Sequence, residues 1–111
     1  MELITVQDEK SVLEILKQIN AQDALKGSTP LMQAIEFNNS LKLIEALLGA
    51  GAKVGTKDFV GNTSLHFAAL EGRKDVIDLL LANGADKHVV NSDGKKPADL
   101  ADDPAIKALL S

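Results

Sequence analysis

Gly61 to Gly72 reads GNTSLHFAALEG, a serine, a histidine and an acid within one short stretch. Whether it is a fragment of an active site or a piece of scaffold depends on whether the rest of the chain repeats it. It does. Gly27, Gly61 and Gly94 are spaced by 34 and 33 residues, and Gly51 and Gly84 are 33 apart, each followed by Ala. The segments STPLMQAI, NTSLHFAA and KKPADLAD align position by position, as do LIEALLGAGA and VIDLLLANGA. The first copy has one extra residue near Asn38 to Ser40, and the last is about three residues short before Ile106. A period near 33 with fixed landmarks is the mark of a helix–turn–helix unit that stacks on its neighbours.

Composition fits such a unit. At 111 residues the chain makes one small domain with a modest core, and a modest stability is expected of it. Apolar residues are 45%, but aromatics only 3%, with three Phe and neither Trp nor Tyr. The core must therefore be Leu, Ile, Val and Ala, which suits close-packed helices better than a β-sandwich. Twelve basic residues against 16 acids give a net charge of −4, which speaks against nucleic acid as a partner. With no cysteine, a disulfide framework, a thiolate zinc site and a Cys nucleophile are all excluded. The acidic opening MELITVQDEKS is not a signal peptide, and no apolar run reaches the ~18 residues of a membrane span. A cytoplasmic or nuclear monomer that touches no membrane is the expectation.

The helices follow from local chemistry. Pro30 and Pro97 stand where a first helical residue needs no N–H. Thr29 and Thr63 are placed to cap, and Val76, Ile77, Leu79 and Leu80 form a stripe at helical spacing. Small Ala34, Ala68 and Ala69 let neighbouring helices approach, and Gly51 and Gly84 suit the left-handed residue after a helix end. Inner helices are predicted over 30–38, 64–71 and 97–102, and outer helices over 41–49, 74–82 and 104–110. Ser11-Val12-Leu13-Glu14 reads as a capping box opening an amphipathic helix over 9–20. The boundaries are an N-terminal capping helix in 1–24, repeats at 25–57 and 58–90, and a truncated capping repeat at 91–111.

These residues closely resemble the ankyrin repeat family. Its T-P-L-H-x-A-A signature stands as Thr29-Pro30-Leu31-Met32-Gln33-Ala34-Ile35 and as Thr63-Ser64-Leu65-His66-Phe67-Ala68-Ala69. A degraded copy runs from Lys96 to Ala101, and the leucine run ending in Gly-Ala-Asp stands as Leu79 to Asp86. The resemblance covers roughly 25–110 and implies an all-α solenoid of stacked helix-turn-helix units with β-turn fingers.

Catalysis finds little support. Ser64, His66 and Asp99, which occupies the His66 slot one repeat later, invite a hydrolase reading. The nucleophile-elbow pattern is missing, and the resemblance makes the histidine structural, bonded within and between turns. His66 and His88 lie 22 residues apart without a metal-ligand spacing. Asp102-Asp103-Pro104 reads as a solvated helix start. No phosphate-loop pattern occurs, so no enzyme, cofactor or metal is expected.

The resemblance instead implies protein binding on the concave face, at loop tips and inner-helix ends. Carried over position by position, the contacts are Leu25, Lys26, Ser28, Glu36 and Phe37, then Phe59, Val60, Asn62, Leu70 and Glu71. Ser92, Asp93, Lys95 and Asp103 follow from the third unit, with Lys57 and Val90 at the loop bases. Phe37 and Phe59, two of the three aromatics, fall where solvent is expected, whereas Phe67 falls in the core. Exposed apolar residues on one face mark an interaction site. The competing reading has both Phe rings packing across adjacent turns, the extra residue near Asn38 turning Phe37 inward. A rival function on the same face is a small neutralising or immunity-type inhibitor of a toxin or enzyme.

Overall fold

A computed structural model describes residues 18–111. Among these, six helices and no strand form a right-through stack of helix pairs: α1 (Pro30–Glu36), α2 (Leu41–Gly49), α3 (Ser64–Glu71), α4 (Lys74–Ala82), α5 (Pro97–Leu100) and α6 (Pro104–Leu110). The inner helices pack in order, α1 on α3 and α3 on α5, and the outer helix α2 packs on α4. Each pair is closed by its own α1–α2, α3–α4 or α5–α6 contact.

The residues at each boundary explain the helix ends. Pro30, Pro97 and Pro104 each open a helix. Thr29 Oγ1 accepts from Met32 N at 3.3 Å, and Ser40 Oγ accepts from Leu43 N at 3.2 Å. Gly51 and Gly84 lie at φ 102° and 88°, the left-handed region they were expected to fill. Of the six helices expected, four fall on their bounds and two end early. Helix α1 stops at Glu36 rather than 38, because the inserted Asn38 adopts φ 57° and turns the chain. Helix α5 stops at Leu100 rather than 102, because Asp103 precedes Pro104, and a residue before proline is pushed out of the helical region. Most of the helix expected over 9–20 lies outside the described residues; Gln18 is helical and a turn follows at 19–20.

The core is aliphatic, as the composition required. Leu31, Met32, Ile35, Ile44, Leu65, Ile77 and Leu80 are fully buried, together with Ala34, Ala68 and Ala69. Ile106 and Leu110 close the C-terminal end, and Phe67 packs on the cluster while only partly buried. Arg73 ties two units together. Its guanidinium donates to Asn38 Oδ1 and the Asn39 carbonyl of the preceding unit, while pairing with Asp75 at 2.8 Å. That hydrogen bond holds the Asp75 carboxyl below its ordinary range.

One buried position is suboptimal. Ser64 is 1% exposed, and its Oγ finds no hydrogen-bond partner among the described residues. It fills the helix-opening slot that Pro30 and Pro97 take in the other units, and the preceding Thr63 is extended at φ −101°, ψ 173°. Ser64→Pro is therefore expected to stabilise the fold by about 1 kcal/mol, removing an unsatisfied hydroxyl and reducing unfolded-state freedom. Thermal melting checks it: the midpoint should rise by roughly 4–8 °C, and a fall would show that the proline ring does not fit.

Candidate functional site

Three fingers project from the stack, and one device builds each. An Asx residue opens the turn and its Oδ1 collects the backbone N–H groups that follow. Asp23 takes Leu25, Lys26 and Gly27; Asp58 takes Val60 and Asn62; Asn91 takes Asp93 and Lys95. These bonds, led by the one from Lys26, hold the Asp23 carboxyl below its ordinary value. Adjacent fingers are then joined through the backbone: Phe59 N donates to Lys26 O, and Ser92 N to Val60 O, both at 2.9 Å. Gly61, at φ 81°, has Asn91 Cα only 3.1 Å from where a Cβ would stand, so glycine serves both conformation and approach.

His66 is the joint beneath the fingers. Its Nδ1 receives the Thr63 N–H at 3.1 Å and lies 2.9 Å from Thr63 Oγ1, while Nε2 lies 2.9 Å from Lys95 O of the next unit. Since a backbone N–H can only donate and a carbonyl can only accept, the ring is neutral with its proton on Nε2. Burial presses its pKa below the ordinary 6.5, against opposition from the Lys95 bond and the Asp58 charge. The native state thus takes up this proton later than the unfolded chain does. Stability from His66 is complete above pH 6.5 and falls as pH drops through the lowered native value. Urea midpoints should decline between pH 7.5 and 5.5, before the depressed Asp23 and Asp75 carboxylates take up protons, and a flat profile would contradict this placement of the ring.

Ser64, His66 and Asp99 do not assemble into a triad. Both ring nitrogens of His66 are engaged elsewhere, the Ser64 hydroxyl is buried without a partner, and Asp99 is exposed, accepting from Lys96 N at 2.9 Å. Among the described residues no group of three or more His, Asp or Glu is arranged to hold a metal ion. Likewise, no described helix is long and apolar enough to cross a membrane.

The expected contact residues separate into three groups. Leu25, Phe37, Phe59, Val60, Leu70 and Val90 are 92%, 70%, 64%, 54%, 56% and 46% exposed, which leaves six apolar side chains in water. Phe37 is not turned inward by the insertion at Asn38; it caps α1 and stays outside. Phe59 does both things at once: its ring lies over Gly27, where a Cβ would sit 2.5 Å from Cδ1, and its other face is open. Lys26, Lys57 and Glu71 are exposed, and Glu36 and Asn62 half-buried. One residue departs from expectation: Ser28 is 1% exposed and offers almost no surface, whereas Asp103 is exposed and also caps α6 through Ala105 N at 2.9 Å. Asn62 also spends its Oδ1 on Asn91 Nδ2, at 2.8 Å, between fingers.

Two recesses gather most of this set. One, of about 350 Å³, is walled by Leu25, Lys26, Glu36, Phe59, Val60 and Asn62, with Asp58 and Phe67. Its neighbour, about 330 Å³, shares Leu25, Lys26 and Glu36 and adds Phe37, Asp23, Ser28 and Gln33. Leu70, Glu71 and Lys57 line neither. A larger, open hollow of about 580 Å³ runs along 52–56 beside Asn83 and contains none of the expected residues.

A family model described as ankyrin repeats, in three copies, matches residues 3–91. The chain belongs to the ankyrin repeat family. An ankyrin repeat protein of Fowlpox virus (strain NVSL) is 33% identical over 86% of this chain and 30% of its own length. Protein phosphatase 1 regulatory subunit 27 of Homo sapiens is 34% identical over 76% of this chain and 53% of its own. The crystal structure of the ankyrin repeat domain of Bcl-3, of the IkappaB protein family, superposes with a TM-score of 0.79 at 30% identity, over 92% of this chain and 46% of that one. The ankyrin chain thus spans from about a third to about half of these relatives. Ankyrin repeats are protein–protein interaction modules, and on that ground this chain is an interaction module too.

Some parts of the site carry no signal in a single sequence. Asn20 clasps the loop after α2, donating to Gly51 O at 3.1 Å and accepting from Lys53 N at 2.8 Å. Gln22 bridges Gly27 O and Lys57 O, both at 2.8 Å. The Asx openings were legible in principle, since Asp58 and Asn91 recur 33 residues apart ahead of the finger glycines.

Proposed function

We propose that this ankyrin chain acts without chemistry of its own, by docking a partner protein on the finger tips and inner-helix ends. The observation that carries the reading is the row of exposed apolar side chains: Leu25, Phe37, Phe59, Val60 and Leu70. Apolar clusters on one face lose water favourably when covered, and aromatics concentrate binding energy when they fill a partner's pockets. The fingers suit the task because Asx turns and finger-to-finger bonds fix them beforehand, so little ordering remains to oppose binding. An interface of about 800 Å² per side is within reach of such a face. The mixed rim of Lys26, Lys57, Glu36 and Glu71 sets register and on-rate rather than affinity. Its site of action, on this reading, is the cytoplasm or nucleus.

The test is affinity capture from source lysate with wild type and with Phe59→Ala/Val60→Ser, each shown to be folded by circular dichroism and melting. A protein retained by wild type should bind the double variant about 30-fold more weakly or worse, and Leu43→Ala, exposed on α2, should change nothing. Equal retention by wild type and double variant would move the site to another surface. Where the captured protein is a toxin or enzyme that the chain silences, the neutralising role is the one in use.

A further inference from the structure

Resting on the concave-face reading, we infer that the recess between the first finger and α1 receives an arginine side chain of the partner, seated beside an apolar residue that enters the adjoining recess. Asp23 Oδ1 is occupied by three backbone N–H groups, and Asp23 Oδ2 lies 3.3 Å from Gln33 Nε2. An ionised carboxylate only accepts, so Gln33 must present its amide nitrogen to Asp23. This fixes the amide orientation and leaves Gln33 Oε1 as an acceptor with no partner among the described residues. Glu36 supplies a second acceptor. Its side chain is only 29% exposed, and the cation beside it, Lys26 Nζ, stands 3.9 Å away, beyond a hydrogen bond.

Both groups line the same recess of about 330 Å³, whose outer walls are the exposed side chains of Leu25 and Phe37. Unused acceptors behind an apolar and aromatic rim define the complement. The occupant needs several donors and no acceptor, a positive charge to meet Glu36, and an aliphatic stem for Leu25. It also needs a flat cationic head, which the Phe37 ring face attracts. A guanidinium meets all four needs, and an ammonium lacks the planar fork. The adjoining recess shares the Lys26 and Glu36 wall but is lined by Phe59, Val60 and Phe67, so its occupant is apolar. The chain's net charge of −4 favours the approach of a basic segment.

The probe is a displayed library of random 12-residue peptides, selected against the whole chain and re-measured as synthetic fluorescent peptides by polarisation. The expected outcome is enrichment of peptides with arginine close to Leu, Ile or Phe. Their affinity should fall about tenfold or more on Glu36→Lys, and should weaken further when the arginine is replaced by glutamine. Glu36→Lys is expected to fold normally, because it places a cation at the C-terminal end of α1 and gives up only a long contact, at 3.9 Å, with Lys26. Peptides that need Phe59 and Val60 but carry no basic residue, or that ignore Glu36→Lys, overturn the arginine assignment and leave the concave-face reading intact. Peptides indifferent to Phe59→Ala/Val60→Ser overturn both. A selection that enriches nothing above the starting library overturns the assignment of these recesses to a peptide side chain.

Discussion

His66→Ala is expected to lower the stability of this small solenoid by about 3 kcal/mol. Truncation removes the link from Nε2 to Lys95 O, which joins the second unit to the third, and it strips Thr63 of the ring nitrogen that receives its N–H. Thr63 is 3% exposed and His66 1%, so water does not replace what is lost, and an unpaired buried donor adds about 1–3 kcal/mol by itself. A void where the ring stood adds to that. The melting midpoint should drop by roughly 15 °C for a chain of this length. The same slot offers an internal comparison. Asp99, one unit on, is exposed and serves only as a helix-start acceptor for Lys96 N, so Asp99→Ala should cost about 1 kcal/mol or less. Equal effects of the two substitutions, measured by denaturant titration, would contradict the role given to His66 as a joint between units.

The second large effect is expected at Leu65, where replacement by alanine should remove about 3–4 kcal/mol. Leu65 is fully buried on α3, the helix packed on both sides, against α1 and α5. Its counterpart Leu31 is buried on α1, while the third unit has Ala98 in that slot. A domain of this size holds roughly 5–15 kcal/mol in all, so the loss is a large share of the total. Among the described helix pairs it also falls at the one with a pair on both sides, on which cooperative unfolding of a linear stack depends. Leu65→Ala should therefore shift the denaturant midpoint strongly, and a change of less than about 1 kcal/mol would mean that the stack repacks around the gap.

Much of the fold is legible in the sequence because its constraints are local and recur. Glycines at a fixed period, prolines at helix starts and an aliphatic stripe each act within a few residues, and four helices, α2, α3, α4 and α6, fall on the expected bounds. The two that end early do so for reasons written beside them, an inserted Asn38 and a Pro104 close behind. The exposure of Phe37 and Phe59 was readable from their slots in the repeat. What the sequence does not disclose is how the units are fastened together. Asn20, Gln22 and Arg73 reach partners 31 to 35 residues away, yet each looks like an ordinary surface polar residue in isolation. The burial of Ser28 belongs to the same class, since its slot in the other units holds Asn62 and Lys95, which are more open.

Hydrogen exchange of the chain with and without its captured partner tests the docking face most directly. Protection should appear on the finger around Leu25–Gly27, at Glu36 and Phe37, across Phe59–Asn62 and at Leu70 and Glu71, while α2 and α4 exchange as before. Protection confined to α2 and α4, with the fingers unchanged, would contradict the account and place binding on the outer helices.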